Sequence, residues 1–247
     1  MNRGKAAAMR SLFAGIGLAA LLFAAPADAW DSIKLNPTHP THSYLTEYAI
    51  TLAAKSEIDS YRAVIVEGAN QELHELPVTG TKYGIDLDAW RIRHKGTNAG
   101  TDDIAGWWHD ALAAYRAGNK QQAWFLVGIM LHFIEDMGVP AHANGVYHQG
   151  TLTEFDNFEF MALSNWKPDF KHVNRRDPGY ADPSAYYAFS GSWTRADAPN
   201  YHDRNSFSKT WTFASAAERT LLSNREGRTA AVAHWALVSA YNAFMAH

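Results

Sequence analysis

Ala123-Trp124-Phe125-Leu126-Val127-Gly128-Ile129-Met130-Leu131-His132-Phe133-Ile134-Glu135-Asp136-Met137-Gly138-Val139-Pro140-Ala141-His142 is the stretch on which the reading of this chain turns. Its first part, Ala123 to Leu131, is apolar on every side, the pattern of a helix buried all round and too short to span a bilayer. His132 and Asp136 follow four apart, so a helix places them one above the other on one face, where both can grip one ion. Gly138 and Pro140 then stop the helix and bring His142 back toward the same region from another backbone direction. A histidine and an aspartate at the end of an apolar helix are costly unless paired or metal-bound. Glu135 lies about 100° around the helix from Asp136 and reads as an ordinary polar neighbour.

Outward from this stretch, residues 1–29 have the features of a signal peptide. Arg3, Lys5 and Arg10 form a positive n-region, residues 12–25 an apolar h-region, and Ala27-Asp28-Ala29 a small-x-small cleavage site. Cleavage there exposes Trp30 as a new amino terminus and implies a secreted or periplasmic protein. Residues 30–247 fit one domain. The chain has no cysteine, so a metal has to be held by histidines and carboxylates, a set that suits zinc. A formal net charge of −3 without a Lys/Arg run argues against a stable nucleic-acid partner.

Helical periodicity starts at Thr41, a plausible N-cap that puts His42 in the first turn. A second helix is expected over 59–72, then a loop-rich section holding Asp86, Asp88 and, just beyond it, His94. A third helix is expected over 102–117, closing at Gly118-Asn119. After His142 the chain is irregular through His148, and 152–165 can again be helical. The section 167–205, with four prolines, reads as a long excursion. Residues 206–246 are strongly helical, with a possible interruption at 224–227. No strand pair stands out. The expected fold is all-α, a single compact multi-helix domain around a buried central helix, with Trp107, Trp108, Trp124 and Phe125 in the core. His234, on an apolar face, reads as a core histidine.

His132-x3-Asp136-x5-His142, followed by Ala143-Asn144, together with Trp30 at the start of the mature chain, resembles the bacterial zinc-dependent phospholipase C family, related to the single-strand-specific zinc nucleases. The resemblance implies an all-helical fold with up to three zinc ions in a cleft. It implies that Trp30, through its amino nitrogen and carbonyl oxygen, and His42 hold one ion, with Asp136 bridging to a second. That second ion takes His132, Asp136, His94 and either Asp86 or Asp88. The same carboxylate, Asp86 or Asp88, is the candidate for orienting the attacking water. A third ion takes His142 with a downstream histidine and carboxylate. There the chain departs from the family's His-x3-Glu, reading Leu152-x3-Asp156. Asp156 can stand for the glutamate, and the third site is either rebuilt with His148, four residues before Leu152, or is weak or empty.

Such a set points to phosphodiester hydrolysis, since paired zinc ions activate water and steady both oxygens at phosphorus. The implied substrate is a phospholipid or another phosphodiester, with transient contact to a membrane surface. Two other readings stand beside it. One is a single-strand-specific nuclease, although its Gly-Gly-Asn stretch is not matched by Ala143-Asn144-Gly145-Val146. The other is a non-catalytic metal-binding relative, which Leu152 favours.

Overall fold

The computed structural model describes residues 41–70, 81–83, 85–86, 101–144, 155–156, 158, 175–197 and 208–247. It is all-α. The helices are α1 (Thr41–Ala53), α2 (Ser56–Ser60), α3 (Arg62–Ala69), α4 (Thr101–Arg116), α5 (Lys120–Asp136), α6 (Pro140–Asn144), α7 (Ala185–Asp197) and α8 (Ala216–Met245). Two-residue strands join them as minor features. Thr81–Lys82 pairs antiparallel with Ile85–Asp86, and Phe155–Asp156 pairs parallel with Ser208–Lys209.

Helix α5 is the axis. All its residues from Ala123 to Asp136 are buried, as expected of a helix without a polar face, and α1, α3, α4, α7 and α8 pack around it. Trp124 and Phe125 are fully buried, with Trp124 set edge-on to Phe244 of α8 at 4.9 Å. Burying one such side chain contributes about 1.5–3 kcal/mol, so this ring of aromatics is a main source of stability. The turn into α5 follows from Gly118, whose φ of 80° closes α4. Asn119 N–H reaches the Ala114 carbonyl and Gly118 N–H that of Tyr115, both at 2.9 Å, the paired bonds of a Schellman ending.

Helices α3 and α5 meet backbone to backbone at Gly68 and Gly128. A Cβ on Gly128 would overlap the Ile65 carbonyl, and one on Gly68 would overlap that of Phe125. Without side chains at these two points the backbones meet directly, which sets α3 within hydrogen-bonding reach of α5 one turn further on.

Four expectations about elements need correction. The helix expected over 59–72 is two, broken at Tyr61, whose N–H bonds back to both Glu57 and Ile58. Phe155–Asp156 is a strand rather than part of a helix. The section 167–205 contains a full helix, α7, anchored by the buried Tyr186 and Trp193. Helix α8 runs unbroken through 224–227, because Arg225, Glu226 and Gly227 are packed inside the protein, and it begins at Ser215, whose hydroxyl accepts from Glu218 N–H at 3.1 Å.

Candidate metal centre

The fold delivers His42 from the first turn of α1 and His132 and Asp136 from the last turns of α5 to one interior point. One donor atom from each can be chosen so that all lie within 4.8 Å of one another. The three side chains are 0%, 0% and 2% exposed. The two imidazoles stack with centroids 4.3 Å apart. Their Nε2 atoms address opposite oxygens of one carboxylate: His42 Nε2 lies 3.4 Å from Asp136 Oδ1, and His132 Nε2 lies 3.5 Å from Asp136 Oδ2. These separations are longer than a good N–H···O hydrogen bond. They match the spacing of neighbouring ligands around a tetrahedral zinc, roughly 3.4 Å for bonds of about 2.1 Å.

The other ring nitrogens are occupied. His42 Nδ1 meets Glu135 Oε2 at 2.6 Å, and Thr46 Oγ1 donates to the second Glu135 oxygen at 2.8 Å. His132 Nδ1 lies 2.9 Å from the Ala69 carbonyl, so it must carry the proton there. Ala69 is the last residue of α3, and the Gly68–Gly128 contact is what brings its carbonyl within reach. A protonated Nδ1 leaves the Nε2 lone pair for an ion, and an outer partner on the far nitrogen is the usual companion of a metal-binding histidine. The donor set therefore fits a metal ion.

Glu135 corrects the sequence reading. It is wholly buried and is the outer partner of His42, not a bystander. Its 100° offset from Asp136 is what makes this possible, since the two carboxylates reach the two nitrogens of one imidazole from adjacent positions on α5. The available clue was burial. In a helix apolar all round, a carboxylate at any angle faces the interior and needs a partner.

Electrostatics follow the geometry. Burial opposes charge on His42, but the carboxylates of Asp136 and Glu135 on either side of the ring outweigh it and raise its pKa well above the ordinary histidine value. Burial also works against ionised Asp136, yet His132, His42 and His142 together hold it well below the usual carboxylate range. Glu135 is pushed up by burial, which His42 and Thr46 only partly offset. The Asp136 carboxylate thus stays charged, and the His42 site binds a proton that an ion would displace.

His142 stands on α6, half-buried, close enough for its charge to lower Asp136. Helix α7 closes the same region. Arg195 donates to the Ala143 carbonyl at 2.7 Å, and the Tyr187 phenol is pushed up to about 12 by burial and by the Asp136 charge. The structure thus brings together His42, His132 and Asp136, with His142 near enough to act on Asp136 through charge. Trp30, Asp88, His94, His148 and Leu152 lie outside the described residues, as does the signal segment 1–29. Asp86 and Asp156 are described only in backbone, each in a short strand.

No protein-family model, curated protein or solved structure matches this chain. Among the described residues no helix is long and apolar enough to cross a membrane.

Proposed function

We propose that the chain is an exported zinc-dependent phosphodiesterase, with a phospholipid as substrate in the manner of a phospholipase C. The observation that carries this reading is the shared Asp136 carboxylate, with a histidine Nε2 facing each of its oxygens and both Nδ1 atoms engaged elsewhere. That arrangement supports Asp136 as a bridge, with His42 on one side and His132 on the other. Zinc held there would supply Lewis acidity toward a phosphoryl oxygen and a nucleophile from water near neutral pH.

The chain's own residues do the positioning. Glu135 and Thr46 fix the His42 ring, the Ala69 carbonyl fixes that of His132, and their tautomers are set before any ligand arrives. His142, half-buried on α6, would be the member of the group nearest a substrate. Trp30, exposed by cleavage after Ala29, would complete the His42 side, and Asp86 or Asp88 with His94 the His132 side.

A metal-binding relative without activity is the second reading. The near-complete burial of His42, His132 and Asp136 favours it, since a substrate has little access to them. One experiment separates the two. Protein beginning at Trp30 is loaded with zinc, its metal is counted by mass spectrometry, and it is given phosphatidylcholine vesicles or single-stranded DNA. Zinc-dependent release of the phosphorylated head group is expected, and nuclease activity would move the substrate to the related enzymes. Full metal loading without hydrolysis of either leaves only the metal-binding reading.

A further inference from the structure

Away from the histidine cluster, the segment before α7 folds against the C-terminal half of α8 and leaves an open pocket of about 400 Å³ between them. That volume is within the roughly 300–1,000 Å³ of small-molecule pockets. Its lining includes Tyr180, Tyr186 and Trp235, with Ser239, Asn242 and Asp177. Among the described residues that line it, Asp177 is the one charged residue.

The segment is fixed in shape. Asp177 Oδ1 accepts from Gly179 N–H at 2.8 Å and from the Tyr186 hydroxyl at 2.5 Å, and Gly179 takes the left-handed φ of 71° that this tight turn needs. Ser239 of α8 donates to the Tyr180 carbonyl at 2.7 Å, and Asp182 Oδ1 accepts from both Ser184 N–H and Ser184 Oγ. The Tyr180 ring stands edge-on to Tyr186 at 5.1 Å, while 39% of Tyr180 is still open to solvent. An exposed tyrosine held rigidly beside a carboxylate is preorganised rather than merely left outside.

Aromatic faces carry negative potential and attract cations, and a nearby carboxylate adds direct charge attraction. We propose that this pocket is a binding site for a small organic cation, an ammonium group with an apolar body, seated between Tyr180, Tyr186 and Trp235 and paired with Asp177. The site is separate from the histidine cluster and does not depend on a metal being bound there.

The test uses the whole folded chain, labelled with ¹⁵N, titrated with tetramethylammonium and in parallel with neopentyl alcohol, a neutral molecule of similar shape. Saturable shifts at the Tyr180 and Ser239 amides and the Trp235 indole N–H are expected for the cation, with weaker binding of the alcohol. Asp177→Asn keeps an acceptor for Gly179 and Tyr186 and removes the charge. It should weaken the cation by about threefold and leave the alcohol unchanged. Tyr180→Ala, at a half-open ring, should weaken the cation without unfolding the protein. Absence of saturable shifts in the folded protein, or equal affinity for cation and alcohol in both the original chain and Asp177→Asn, would overturn the proposal.

Discussion

The imidazole of His42 and the carboxylate of Glu135 meet at 2.6 Å inside the protein, although 93 positions separate them in the chain. Asp136, next to Glu135, faces the other nitrogen of the same ring. Two consecutive acidic residues thus do different work: one fixes the His42 ring from outside, and the other stands among the side chains that could hold an ion.

Replacing Glu135 by glutamine should therefore weaken metal binding without removing a donor atom. A loss of about tenfold in zinc affinity is expected, in line with losses of 10–100-fold when outer partners are changed. Competition with a fluorescent chelator measures it. An unchanged affinity in a normally folded Glu135→Gln protein would show that Glu135 does not orient His42.

Asp136→Asn should do more. It removes the charge shared by His42 and His132, and metal content at this group should fall below detection by mass spectrometry. Because the asparagine is nearly isosteric, the helical circular dichroism should be retained. Retention of full metal content would place the ion elsewhere.

Acid should displace the ion early. His42 takes up a proton well above the ordinary histidine range, held by Asp136 and Glu135 against the cost of burial. An ion needs the ring neutral, so zinc affinity should drop as pH falls through that raised value, already above pH about 6.5. For the metal-free protein the sign reverses. A histidine whose folded pKa is raised contributes stability that is complete below its unfolded value and is lost as pH rises through the folded one. Chelator-treated protein should lose that contribution between about pH 6.5 and the higher folded value, and Glu135→Gln should lose less. Zinc affinity that stays flat from pH 5.5 to 8.5 would contradict this assignment.

Two alanine substitutions should have opposite effects. At Gly128 the added methyl has no space against the Ile65 carbonyl, so Gly128→Ala should cost about 3 kcal/mol, several degrees in Tm. It should also weaken zinc binding, because it drives the Ala69 carbonyl away from His132. At Gly106 of α4 nothing lies within 4 Å, and Gly106→Ala should stabilise by about 0.5–1 kcal/mol through helix propensity alone. Thermal denaturation of the two variants is the measurement.

The amino terminus offers a further check on the proposed function. Protein starting at Trp30 should bind more zinc than protein carrying one extra glycine before it, if the free amine is a ligand. Equal zinc content and activity in the two forms would exclude Trp30.

The sequence makes the local part of the site readable and leaves the distant part hidden. His132 and Asp136 are visible because a helical period of four relates them, and His42 because it opens a helix. The partners of the histidines are another matter. The Ala69 carbonyl has no side-chain signature, and Thr46 and Glu135 gain meaning only when α1 docks on α5. Helix α7 escapes for a different reason. Pro178, Pro183 and Pro199 flank it and Ser190-Gly191-Ser192 lies inside it, so local preference argues for a loop. Packing of Tyr186 and Trp193 overrides that preference. In α8 the same contest falls to burial at Gly227.

Gly128, His132 and Asp136 occupy successive turns of one face of α5, and Gly68 precedes Ala69 on α3. Any residue larger than glycine at position 128 would press on the Ile65 carbonyl and on the backbone of Gly68 and Ala69, which no substitution at position 68 can relieve, with the cost falling on the carbonyl that holds His132. Chains of this kind that retain the histidine cluster should thus carry a Gly-x3-His-x3-Asp signature on α5 and a glycine at position 68 as well. Such a paired fingerprint contains no ligand in one of its halves, and it can separate a chain that still assembles the site from one that keeps the ligands by coincidence.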